Sequence, residues 1–233
     1  MEPRTAHQAV VDAIARDIVT GRYRPGDTLP TEPELCAAYA VSRTTVREAL
    51  KTLTAKGIVS VRPKTGTRVR PHERWSLLDP EVVDWRLASG VDGTLVRDIV
   101  DMRLIIEPEA AALAAERAGE ADIAALRGAF SAMTEAAYRK GSYVEADLAF
   151  HRALLHAARN QFLSQLVPIV TGMLRLSFEL SVVSREAAIA SLTLHEAVLD
   201  AIAAGTPDAA RDATRILIVR ARGDIEGRPG FRP

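Results

Sequence analysis

A chain of 233 residues, 48% apolar and 26% charged, has the composition of a folded protein of one large or two modest domains, which excludes a disordered chain. Aromatic residues make up only 5% and alanine is abundant, which favours helices over a β-sandwich or barrel. The net charge of zero hides an asymmetry: residues 1–75 hold 13 Lys/Arg against 8 Asp/Glu and the remainder 17 against 22, so only the basic head suits a polyanionic partner.

Val10, Val11, Ile14 and Ile18 recur at helical spacing and predict a first helix over about residues 6–20, closed by Gly21 and the turn sequence GRYRPGD. This N-terminal stretch mixes acids and bases and has no apolar signal-peptide core, and no segment approaches the ~18 apolar residues of a membrane span. The expectation is a cytoplasmic protein with no membrane partner. Thr31-Glu32-Pro33-Glu34 predicts a capping box that opens a short helix with Leu35, Ala38 and Tyr39 inward. The single Cys36 can form no internal disulfide and reads as a small buried hydrophobe.

Val41-Ser42 predicts a tight turn, with Ser42 as N-cap of a helix from Arg43 to about Lys56. Val46, Ala49, Leu50 and Leu53 form its apolar stripe, and Arg43, Thr44, Arg47 and Lys51 share the opposite side. After Gly57, Val59 and Val61 alternate with polar residues, Pro63-Lys64-Thr65-Gly66 turns, and Thr67 to Arg70 returns as a hairpin. Helix, capped short helix, tight turn, second capped helix and hairpin is the order of a winged helix-turn-helix. Such a second helix fills the major groove of double-stranded DNA with its N-terminal residues at base edges, where arginine can pair bidentately with guanine. The competing reading of these residues is a small structural domain with a solvated basic face.

Residues 71 to about 78 predict a linker in which Trp75, Leu77 and Leu78 pack, and Asp79-Pro80 starts a short helix. Six further helices are expected at about 94–118, 121–139, 142–158, 161–182, 184–204 and 207–226, with kinks at Pro108 and Pro168 and a mobile GRPGFRP tail. The expected fold class is therefore mainly α. A winged helix-turn-helix over 1–70 is followed by a linker and short helix over 71–92 and an all-α antiparallel bundle over 93–227. In that bundle Asp147 and His151 stand four residues apart on one helix face, and Arg103 and His195 interrupt otherwise apolar helices. A carboxylate and two imidazoles from separate helices can ligate a divalent metal or bind a polar ligand directly; as single polar residues on amphipathic helices they can equally be satisfied core groups.

The stretch from Ile18 to Val69, with PGDTLPTEPEL, VSRTTVREAL and GTRV within it, resembles the DNA-binding domain of the GntR family of bacterial regulators, over about residues 8–70. The resemblance implies DNA contacts from Ser42, Arg43, Thr44 and Arg47 and from Lys64, Thr65 and Gly66 at the wing tip. Pro33 departs from the pattern, standing where some members carry a DNA-contacting arginine. From about 93 to 222 the chain is similar to the helical effector domain of the FadR subfamily of GntR regulators. Many members hold a metal with Asp-x-x-x-His and two later histidines, and the metal binds a carboxylate ligand. The resemblance implies Asp147, His151 and His195 as the first three ligands and Arg103 against the effector carboxylate, while the fourth position falls at about Leu217, which cannot ligate. Either three ligands hold a divalent metal such as zinc, or the metal is lost and the polar residues bind the effector themselves. ERWSLLDPEVVDW, EADLAFHRALL and the absent fourth histidine are similar to sugar-acid-responsive members, which implies a sugar-acid effector.

The expected function is a homodimeric, ligand-responsive repressor of sugar-acid or related carboxylate metabolism genes, released from its operator by the effector. A constitutive dimeric DNA-binding protein is the alternative. A metal-dependent enzyme is the other, and against it there is no Gly-rich phosphate loop, HExxH or nucleophile elbow.

Overall fold

The computed structural model describes residues 5–62, 65–88, 93–139, 141–180 and 185–227. The chain divides into two compact units, Met1–Val91 and Asp92–Pro233. Expectations for Lys64 and for all of the GRPGFRP tail beyond Gly227 lie outside the described residues.

In the first unit, α1 (Ala6–Val19), α2 (Glu32–Tyr39) and α3 (Arg43–Ala55) precede a hairpin of β1 (Val59–Arg62) and β2 (Gly66–Val69). Thr5 caps α1 by accepting from the Gln8 N–H at 3.2 Å. Val10, Val11 and Ile14 of α1 meet Val46, Ala49 and Leu53 of α3 in a core closed by Ile58, Val59 and Val69. The strands pair antiparallel, with Val59 opposite Val69 and Arg62 opposite Gly66. At the start of α2 the expected box is carried by Glu34, whose carboxylate accepts from both the N–H and the hydroxyl of Thr31 at 2.7 Å. Leu35 is buried there, Cys36 and Tyr39 are half-buried, and Ala38, expected inward, is exposed.

The segment after the wing belongs to the same core. A 3-10 turn, His72–Arg74, leads to buried Trp75, whose Nε1 donates to the Arg70 carbonyl at 2.9 Å. α4 (Pro80–Ala88) adds Val82 and Trp85 to the cluster around α1. Lys56 Nζ lies 2.6 Å from carboxylate oxygens of both Asp79 and Glu81, tying the end of α3 to the start of α4. Leu77 and Leu78, expected to pack, are exposed because the turn directs Trp75 alone inward.

The second unit is a bundle of α5 (Gly93–Arg117), α6 (Glu120–Tyr138), α7 (Tyr143–Ala157), α8 (Gln161–Gln165), α9 (Val167–Leu180), α10 (Arg185–Ala203) and α11 (Pro207–Glu226). α5 packs chiefly on α11, α6 on α7, and α10 on α11 and α6, around Leu126, Met133, Leu148, Phe150, Leu154 and Ile202. α5 continues through Pro108 without a break. The single helix expected over 161–182 is instead two, α8 and α9. Pro168 lies in the first turn of α9, where its missing N–H costs no hydrogen bond. Among the described residues no helix is long and apolar enough to cross a membrane.

Candidate functional site

Two groups of residues carry chemistry, one in each unit. In the first, α3 is fixed from beneath by Val46, Ala49, Leu50 and Leu53, all buried, which leaves Arg43, Thr44 and Arg47 exposed. Ser42 caps the helix, accepting from the Thr45 N–H at 3.1 Å. Glu32, at the start of α2, escaped the sequence reading. Its Oε2 lies 2.9 Å from Arg47 Nε and 3.9 Å from Arg43 Nε, so one carboxylate gathers both arginines. The signal available in the sequence was the crossing of α2 and α3 that a helix-turn-helix imposes, which brings the two helix starts together.

At the wing, Thr65 and Gly66 are exposed beside Pro63 and Lys64, which lie outside the described residues. Gly66 has φ +76, a conformation side chains rarely adopt, and an added Cβ would approach Thr28 Cγ2 to 3.3 Å. Arg62, Arg68, Arg70 and Arg74 line one open groove of about 740 Å³ along the wing. Among the described residues none of the four forms an ion pair; Arg68 donates to the Gly26 carbonyl at 3.3 Å. The other arginines and lysines near the reading helix are paired: Arg47 with Glu32, Lys51 with Glu48, and Lys56 with Asp79 and Glu81. The wing groove thus concentrates uncompensated positive charge.

In the bundle, Arg103, Asp147, His151 and His195 converge from α5, α7 and α10, each no more than 3% exposed. A fifth residue joins them, Glu107 on α5, which is fully buried and was missed. Its Oε1 accepts from Arg103 Nε at 2.6 Å, and its Oε2 lies 2.6 Å from His151 Nδ1, short of the alignment of a full hydrogen bond. Burial would raise the Glu107 carboxyl, but Arg103 and His151 outweigh it and hold the group down at about 2. Burial likewise opposes ionisation of Asp147; the charge of a protonated His151 and an N–H from a protonated His195 are what hold it below its ordinary value. Burial, with Asp147 beside it, pushes the Tyr143 phenol up.

Hydrogen-bond partners set the imidazole protons. His195 Nδ1 lies 2.9 Å from the Ser191 carbonyl, which can only accept, so Nδ1 carries hydrogen. His151 Nδ1 faces the Glu107 carboxylate, with the same consequence. In the neutral rings, His195 Nε2 and His151 Nε2 are therefore lone pairs, 3.1 Å and 3.6 Å from the two oxygens of Asp147. Asp147 Oδ2 and His195 Nε2 are buried and make no hydrogen bond. One ligand atom from each of Asp147, His151 and His195 lies within 4.8 Å of the others, which is the donor set and spacing of a metal site. Phe150 holds the rings edge-on, 5.0 Å from His195 and 6.0 Å from His151 between centroids. Leu217, on α11, is a buried apolar core residue and offers no ligand atom. With both rings neutral, three buried acceptors face one another, an arrangement that a cation, a proton or a donor-rich ligand satisfies.

A winged helix-turn-helix with an exposed arginine-bearing helix, in one chain with a helical bundle built around a buried polar cluster, defines a DNA-binding transcription regulator with a ligand domain. Residues 6–69 match the gntR family of bacterial regulatory proteins and residues 98–220 match the FCD domain, and the chain belongs to the GntR family with an FCD domain. It is similar to the galactonate operon transcriptional repressor of Escherichia coli (strain K12), with 34% identity over 210 residues covering 90% of this chain and 92% of that protein. It is also similar to the uncharacterized HTH-type regulator YieP of the same organism, with 35% identity over 212 residues and 90% of each chain covered. The fold is shared with the Listeria monocytogenes protein Lar at a TM-score of 0.68, with 21% identity, 98% of this chain and 100% of that one covered. The family and these relatives are regulators, and the chain is not an enzyme.

Proposed function

We propose that this chain is a homodimeric repressor that leaves its operator when a small carboxylate, of the sugar-acid class, binds inside the helical bundle. The observation that carries the reading is the buried convergence of Asp147, His151 and His195, with one ligand atom of each within 4.8 Å of the others, in the same cluster as the buried guanidinium of Arg103. Asp147, His151 and His195 would hold a divalent ion such as zinc, which when bound supplies a Lewis-acid contact for an oxygen of the effector. Arg103 keeps Nη1 free of hydrogen bonds among the described residues, an edge that suits a carboxylate. Similarity to a galactonate-operon repressor supports a hydroxylated acid as the class of effector. On the DNA side, Ser42, Arg43, Thr44 and Arg47 would meet the major groove, and Lys64, Thr65 and Gly66 the backbone at the wing.

The test is release of the protein from operator DNA by a panel of sugar acids, each with and without a chelator, together with thermal shifts, since a ligand that binds only the folded state stabilises it by mass action. The expected result is release and stabilisation by at least one sugar acid, both weakened by chelator and both lost in His195→Ala, with operator affinity of that variant unchanged. Operator binding insensitive to every acid in the panel would overturn the reading in favour of a constitutive DNA-binding protein.

A further inference from the structure

Among the described residues Glu107 is the most buried ionisable residue of the bundle, and neither ligation of an ion nor the effector contact just proposed uses it. It bridges two neighbours on different helices. Arg103, one helical turn back on α5, donates Nε–H to Oε1 at 2.6 Å and Nη2–H to Oε2 at 3.5 Å, and Oε2 also stands 2.6 Å from His151 Nδ1 on α7. We propose that Glu107 is a positioning residue: it fixes His151 as the Nδ1–H tautomer, so that Nε2 is presented as a lone pair toward Asp147, and it takes up one edge of Arg103 so that only the Nη1 edge faces a ligand.

A carboxylate that neutralises a buried guanidinium is ionised and has no hydrogen of its own, so a nitrogen 2.6 Å from it must carry one. Neutral imidazole has a single N–H, so placing it on Nδ1 strips Nε2 of hydrogen. His195 reaches the same state by another device, the Ser191 carbonyl 2.9 Å from its Nδ1. Two different acceptors, one charged and one from the backbone, thus turn two histidines to present Nε2 at one point beside Asp147. A histidine ligand backed by a carboxylate is a more basic and better oriented donor, and losing such a partner costs about 10- to 100-fold in metal affinity. The same contact explains how Arg103 is tolerated in the interior: its charge is paired within its own helix.

This inference rests on the proposed ligand site, but its decisive measurement does not. Nitrogen-15 chemical shifts of the histidine side chains report tautomer directly in the metal-free, effector-free protein. The wild type is expected to show His151 and His195 both as Nδ1–H. In Glu107→Gln, His151 shifts to a mixture of tautomers while His195 stays Nδ1–H as an internal control, and affinity for Zn²⁺ added alone falls at least tenfold. Because Glu107→Gln leaves Arg103 buried with a neutral partner, the double variant Arg103→Met, Glu107→Gln provides a second form without the stranded cation; it should give the same His151 mixture. A purely structural Glu107 would lower thermal stability and leave the tautomer untouched. His151 found as Nε2–H in the wild type, or retained as pure Nδ1–H in both variants, overturns the assignment. Failure of the wild type to bind Zn²⁺ would count against the metal reading, with the tautomer shift still judging Glu107.

Discussion

Arg47 faces a choice of anions. In the free protein its Nε lies against Glu32, with both carboxylate oxygens within 3.1 Å, while the side chain remains 60% exposed. An exposed ion pair of this kind contributes about 0–1 kcal/mol, so DNA can take Arg47 over at little cost. Arg47→Ala should therefore reduce operator affinity by the ~1–3 kcal/mol of a base contact and leave the melting temperature unchanged, because its apolar neighbours Val46 and Leu50 stay in place. Glu32→Gln should do something different. Removing a negative charge from the reading surface should raise affinity for random duplex at low salt and narrow the gap between operator and random sequence. Fluorescence anisotropy on both DNAs, at two salt concentrations, checks the pair; equal losses on both sequences for Arg47→Ala would mean that it contacts only phosphate.

Glu32 and Glu107 also mark where sequence reasoning stopped. Arg43, Arg47, Asp147, His151 and His195 stand out because each breaks or opposes an apolar periodicity, and a single chain displays that directly. Glu107 stands next to Pro108 and four residues from Arg103, a spacing that reads as an ordinary surface ion pair. Its burial depends on α7 closing over α5, which no local pattern encodes. Partner choice is a property of packed elements.

At the scale of elements, the first unit is longer than its helix-turn-helix. A linker and short helix are expected over 71–92, yet Trp75, Val82 and Trp85 complete the core and Lys56 bridges to Asp79 and Glu81. Trp75 was recognisable as a packing residue. The tight passage that places it was not, because it depends on Gly57. That residue ends α3 with φ +75, and a Cβ there would sit 2.1 Å from the Arg74 carbonyl oxygen, an overlap with backbone that no rotamer change relieves. A non-glycine residue in this conformation costs about 1–3 kcal/mol before the clash is counted. Gly57→Ala should lower the unfolding temperature of the first unit by at least ~5 °C, since 1 kcal/mol moves a domain of this size by about 4–8 °C. Differential scanning calorimetry should show the α5–α11 bundle melting as in the wild type. An unchanged first transition would mean that the turn at His72–Arg74 can move away.

For the molecule as a whole, charge and assembly decide how the DNA reading works. The first 75 residues have an excess of five positive charges and the rest an equal negative excess, from 13 against 8 and 17 against 22. A polyanion is thus drawn to one end of the sequence and repelled by the other. The four arginines of the wing groove, Arg62, Arg68, Arg70 and Arg74, form no ion pair among the described residues and would add sequence-independent attraction for DNA. A single winged helix buries only about 600–1,000 Å² on DNA, too little for tight specific binding, so two copies on an inverted repeat are expected. Each arginine that neutralises a phosphate releases counterions and adds about 0.9 to the slope of log affinity against log salt. Replacing Arg70 and Arg74 together by alanine should then flatten that slope by about 2 if each copy contributes one phosphate contact, and by about 4 if each contributes two. A protein acting as a monomer would lose half as much. Sedimentation of the wild type on a full operator and on a half-site, beside the salt titration of the double variant, reads both quantities. A monomer bound to the full operator would exclude the dimer, and an unchanged slope would exclude the wing groove from the DNA interface.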